Sequence, residues 1–214
     1  MSSNKLVCPI TSRNVDSIAM TPNPDNILHF APRESVIQAA FTLADKMGWQ
    51  NVGMADIADK AHISLAELHN LFLDKYDILT AFTRMVDHKL LQNISSFDEE
   101  SSVRDRLFEL FMERFDILND NRDGIIAIMD SMRFDPKQLM LGMPHLARSM
   151  SWMLEAARVD TSGWKGAIRI FGLLALYVEV AKVWREDESA DLSKTMAELD
   201  KHLERVEDWA HRFL

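Results

Sequence analysis

Between Arg33 and Leu79 the apolar residues recur at helical spacing in three short bursts, and the last two bursts are only three residues apart. The first stripe is Val36, Ile37, Ala40, Phe41, Leu43 and Ala44, and it stops at Gly48. The second, Met54 to Ala61, puts Ile57, Ala58 and Ala61 on one face. A turn of His62, Ile63 and Ser64 leads into the third, Leu65 to Phe72. Ser64 is a natural N-cap, and Glu67 three residues on completes a capping box that fixes where this helix begins. Two helices joined by so tight a turn cross steeply, and the second can project into a DNA major groove.

The run from Ile37 to Phe82 resembles the DNA-binding domain of TetR-family transcriptional regulators. The matching elements are the pair Ala39 and Ala40, Trp49 after Gly48, Ile57 with Ala58, and Phe72 to Lys75 closing the recognition helix. The chain departs from the family pattern at three places. His62 stands where the turn usually has Gly, Ala66 and Glu67 where a small pair is usual, and His69 where Tyr is usual. The helix from Ser64 to Phe72 carries no Lys or Arg and one Glu.

Composition narrows the class. The chain has 214 residues, 47% hydrophobic and 27% charged, which describes an ordinary globular protein of one or two domains. Four of its six Pro fall in the first 32 residues, and the remainder is Leu-, Ala- and Met-rich and unbroken, so the fold class is all-α with a sizeable core. One cysteine, Cys8, excludes an intramolecular disulfide and suits a reducing, cytoplasmic setting. The net charge of -9 is not that of a non-specific nucleic-acid binder. Residues 1–90 hold 8 basic and 10 acidic side chains, whereas residues 91–214 hold 16 and 23, so the acid is concentrated away from the reading head.

Residues 1–31 are polar and proline-punctuated, without the apolar core of a secretory signal, and are expected to form a flexible tail. The head is expected over 32–94 and a larger helical domain for ligand binding and dimerisation over 101–214. The polar stretch Ser95 to Ser102 separates the two. Further helices are expected at Val103–Leu118, Gly124–Phe134, Gln138–Ala157, Gly163–Arg185 and Leu192–Phe213, with stop signals such as Asn119 to Asn121 and Asp135-Pro136 between them. The longest apolar run, Ala167 to Trp184, contains Arg169, Glu179 and Lys182 and is too interrupted to span a membrane.

The stretch from His145 to Trp209 resembles the C-terminal region of the ubiquinone-biosynthesis lipid-binding family, the ninth coenzyme Q protein. The resemblance rests on a Met- and Leu-rich helix, then Asp160-Thr-Ser and Trp164-Lys165, a helix of small residues, a corner ending at Ser189, and Thr195-Met196. That family is itself built on the TetR architecture. The two resemblances therefore agree on fold and imply different functions: a DNA-binding repressor released by a small apolar ligand, or a lipid-binding accessory protein of ubiquinone biosynthesis that does not bind DNA.

The candidate residues follow. For double-stranded operator DNA, His69 and Asn70 are placed to read base edges, with Leu65 and Ala66 available to thymine methyls, Ser64 as the cap, and Arg33, Lys60 and Lys75 as phosphate partners. Six of 13 Met crowd into positions 129–153, and flexible thioethers suit an adaptable apolar pocket. The expected lining is Met129, Met132, Met150, Met153, Phe171 and Tyr177, with plain core filling as the competing account. A homodimer interface is expected from Ala175 on one helix and Leu199, Leu203 and Val206 on the last. The sequence contains no His-Glu-x-x-His, no paired Cys, no phosphate loop and no Gly-x-Ser-x-Gly, so neither an enzyme, a metal nor a cofactor is expected.

Overall fold

A computed structural model describes the backbone of residues 24–94, 97–98, 100–132 and 136–213, and the side chains of 32–94, 97–98, 100–132 and 142–207. The helices are α1 (Pro24–Met47), α2 (Met54–Lys60), α3 (Leu65–Leu71), α4 (Lys75–Asn93), α5 (Val103–Asn119), α6 (Arg122–Met132), α7 (Pro136–Ala156), α8 (Gly163–Glu186) and α9 (Ser193–Phe213), with a short 3-10 turn at Trp49–Asn51. Among the described residues no helix is long and apolar enough to cross a membrane.

The helix ends follow local chemistry. Gly48 stops α1 because its φ of 78° is open to glycine at no steric cost. The Asp74 carboxylate accepts the N–H groups of Tyr76 and Asp77 and so opens α4. Ser102 and Asp105 open α5 by a reciprocal capping box. The start of α1 differs from expectation: it opens at Pro24, inside the segment expected as tail. Pro24 is tolerated at the first helical position because its missing N–H would have had no partner anyway, and Pro32 is carried inside the helix. The tail residues 1–23, Cys8 among them, lie outside the described residues.

Head and body are not separated as cleanly as the polar stretch at 95–102 suggests. Helix α6 lies across α1, and Gly124 is the point of contact. A Cβ added there would sit 2.6 Å from the Phe41 carbonyl oxygen, so only glycine permits the approach. Phe41 in turn meets Phe82 of α4 with ring centroids 4.4 Å apart. The body's core is an aromatic column in which Phe115 stacks on both Tyr177 and Trp184, each at 5.9 Å.

The corner between α8 and α9 is tied by a buried carboxylate. Asp187 accepts from the Ser189 hydroxyl and from the N–H and hydroxyl of Thr195, each of the latter at 2.8 Å. The Arg122 guanidinium meanwhile donates to the carbonyls of Trp184 and Asp187 at the end of α8. Burial alone would raise the Asp187 pKa, but the donors from Ser189 and Thr195 outweigh it and hold the carboxyl well below the usual aspartate range. Because the folded pKa lies below the unfolded one, this stabilisation is complete above pH of about 4 and is lost as the pH falls further. Asp187→Asn puts an amide nitrogen where one carboxylate oxygen accepts two hydrogen bonds and should cost about 2 kcal/mol at pH 7. Paired denaturant titrations check this, and the gap between wild type and variant should narrow below pH of about 4.

Candidate nucleic-acid interface

The head presents α3 outward by burying its other face. Leu68 of α3 and Phe72 just beyond it are inside, against Ile57 and Ala58 of α2 and Trp49. The turn between α2 and α3 closes with Ala61 N–H donating to Ile57, His62 N–H to Asp59 and Ile63 N–H to Ala58. His62 takes φ of 57° to make it, which explains why the family prefers Gly at this position. The expected capping box is present. Ser64 N–H donates to Glu67 at 2.8 Å, and Glu67 N–H to the Ser64 hydroxyl oxygen at 3.2 Å. The Ser64 N–H and hydroxyl hold the Glu67 carboxyl below its ordinary pKa.

With those groups turned inward, Leu65, Ala66, His69 and Asn70 stand exposed on one side of α3. Leu73, just past the helix, is 80% exposed and extends the same edge with an apolar side chain that the sequence reading leaves out. Its spacing alone does not reveal it, because Leu73 follows Phe72, which does go inside.

The cations are placed differently from expectation. Lys75 donates its ammonium hydrogens to the carbonyls of Trp49 (2.8 Å) and Val52 (2.7 Å) and lies over the Trp49 ring, and burial lowers its pKa. Arg33 donates to the Leu71 carbonyl and covers the Phe72 ring. Both side chains therefore tie loop and helix ends of the head together, where the sequence reading puts phosphate. Lys60 remains exposed, and from Met54 to Phe72 it is the one Lys or Arg beside three acids, Asp56, Asp59 and Glu67.

The ligand residues are not brought together. Met150 and Met153 are buried at 0% and 1% exposure, Tyr177 is stacked on Phe111 and Phe115, and Met129 and Met132 pack against the same core. Phe171 is 64% exposed on α8 and lines neither of the cavities described below, because its position on that helix faces outward. The thioethers with described side chains thus fill core at this point, and Met140 lies outside the described side chains. The cavities are elsewhere. One is an open groove of about 540 Å³ lined by Ile94, Phe108, Met112 and Leu192 together with Glu109, Glu113, Asp116 and Asp191, and another is a cleft of about 170 Å³ between α4 and α7.

The dimer residues divide. Leu199 and Leu203 are buried within the chain, where α9 packs on α8, so they are not available to a partner. Ala175 is exposed, and Val206 partly so. Around Ala175, α8 shows an apolar stripe of Trp164, Ile168 and Phe171 that the sequence reading does not assign to the interface.

Comparison with solved structures places this geometry. The chain is similar to a TetR transcriptional regulator from Nitrosomonas europaea, at 24% identity over 81% of this chain and 96% of that one, with a TM-score of 0.65. It is also similar to a TetR regulator from Rhodococcus sp. RHA1, at 18% identity over 81% and 96% with a TM-score of 0.53. A TetR-family regulator from Streptomyces coelicolor matches at 16% identity over 82% and 83%, again with a TM-score of 0.53. The chain has the fold of TetR-family regulators, a helix-turn-helix head on a larger helical bundle. No profile of a known family and no curated protein matches it, so the resemblance of its C-terminal half to the ubiquinone-biosynthesis family receives no support.

The strained turn gives a direct test of the head's local energetics. His62→Gly removes a left-handed penalty of about 1–2 kcal/mol and adds back part of it as unfolded-chain entropy. It should raise stability by about 0.5–1 kcal/mol, read as a higher denaturant midpoint at unchanged slope.

Proposed function

We propose that this protein is a cytoplasmic, homodimeric, TetR-type DNA-binding regulator, a repressor whose hold on its operator is relieved by a small apolar ligand. The observation that carries the reading is the free face of α3. Its capped helix is fixed on the head by Leu68 and Phe72, while Leu65, Ala66, His69 and Asn70 point outward with no intramolecular side-chain partner among the described residues. An Asn can read adenine through two hydrogen bonds, and the apolar pair suits thymine methyls. For an apolar effector the groove beside α5 offers Ile94, Phe108, Met112, Leu192 and Met196, with Glu109, Glu113, Asp116 and Asp191 sharing its lining.

A dimer supplies the second half-site. The outward stripe of α8, Trp164, Ile168, Phe171 and Ala175, is the surface best suited to it, since single chains rarely leave such a contiguous patch in water. Phe171→Glu or Ala175→Glu should convert a two-chain mass in light scattering at micromolar concentration to a one-chain mass. A one-chain mass for the unmodified protein removes the dimer.

A second reading is favoured by the charge of the head. Three acids to one Lys across α2 and α3 describe a surface that phosphate does not seek, as a lipid-binding accessory protein of ubiquinone biosynthesis without DNA contact would have. Genomic pull-down of bound DNA beside lipid mass spectrometry of the purified protein separates the two. Under the first reading, enriched DNA is expected, lost on Asn70→Ala. Affinity should fall with salt no more steeply than about -4 in log–log slope per dimer, because each neutralised phosphate contributes about -0.9. Lipid recovered without DNA supports the second.

A further inference from the structure

We propose that the cleft between α4 and α7 binds a small organic anion, a carboxylate carried on a flat apolar ring. Thr80, Arg84 and Asp87 come at i, i+4 and i+7 on α4, and His145, Arg148 and Trp152 at i, i+3 and i+7 on α7, so each helix offers one continuous face to the same space. Asp87 is the acid among them, and its charge is already answered. Arg114, 2% exposed, donates to it at 2.7 Å, and Ser149 donates its hydroxyl. The guanidiniums of Arg84 and Arg148 have no such answer. Each is exposed and forms no ion pair or hydrogen bond among the described residues, in a chain whose acids outnumber its Lys and Arg by nine.

Two unpaired guanidiniums on one cavity select an anion, and their planar forks match a carboxylate by paired N–H donors. The half-buried His145 and the Thr80 hydroxyl add hydrogen-bond donors to the same lining. Trp152, 53% exposed, offers a flat apolar wall that no ring contact covers among the described residues. At about 170 Å³ the cleft is smaller than the usual pocket of roughly 300–1,000 Å³, which excludes a long acyl chain and suits one ring bearing one acid group. The site does not depend on whether α3 reads DNA, so failure of either leaves the other standing.

Calorimetry on the full chain tests it with benzoate, benzamide and inorganic phosphate. Benzoate should saturate at or below about 5 mM, and benzamide, of the same shape without the charge, should bind at least tenfold more weakly. Arg84→Gln with Arg148→Gln should reduce benzoate affinity at least tenfold, and Trp152→Ala about threefold or more. All three side chains are exposed, and an unchanged melting temperature of each free variant verifies that the fold is kept. The proposal is overturned if benzoate gives no saturable heat in that range, if benzamide binds equally, or if the double Gln variant binds as wild type does. Inorganic phosphate binding as tightly as benzoate overturns the ring-bearing ligand.

Discussion

The contact of Gly124 with the Phe41 backbone decides where the helix-turn-helix head sits. Helix α1 belongs to the head by its apolar stripe, yet its Phe41 carbonyl receives α6 of the body at a distance no other residue type permits. The same Phe41 ring packs on Phe82 of α4, so α1, α4 and α6 meet around one side chain. Packed interiors of this density shift as blocks rather than bend. Helices α1 and α6 and the Trp49 turn are in direct contact, and Lys75 at the start of α4 ties that turn through the Trp49 and Val52 carbonyls.

The same first turn of α6 is also held to the body. Arg122 sits at its first turn, donates to the carbonyls that end α8, and lies over the Trp184 ring. Asp187, one residue past α8, binds the first turn of α9 through Thr195. One helix of eleven residues thus joins the head at Gly124 and the α8–α9 corner at Arg122.

Charge is arranged by helix rather than by domain. Lys75 and Arg33, the two cations nearest α3 other than Lys60, are turned to carbonyls and aromatic faces, leaving the reading surface neutral to acidic. Positive charge is instead left open at Arg84 and Arg148, on the seam between α4 and α7. In an acidic chain, the places where guanidinium is left without a partner are more informative than the sum.

The all-α class, the helix bounds to within a few residues apart from the start of α1, and the capping box at Ser64 and Glu67 were legible in the sequence, because they depend on neighbours three or four residues apart. So was the helix-turn-helix, with His62 marking the position where a left-handed residue is required. The side chains whose roles changed are those whose partners lie far along the chain. Periodicity cannot say that Lys75 would reach the carbonyls of Trp49 and Val52, 26 and 23 residues back. Nor can it say that Met150 and Met153 would be sealed in the core while Phe171 stood in solvent, since helical spacing fixes faces only relative to one another. The joining of head to body was decided at Gly124, where the absence of a side chain matters only once another helix lies across it. The α4–α7 cleft likewise exists only in three dimensions, because Arg84 and Arg148 become neighbours when two separate helices pack, and no local pattern records that.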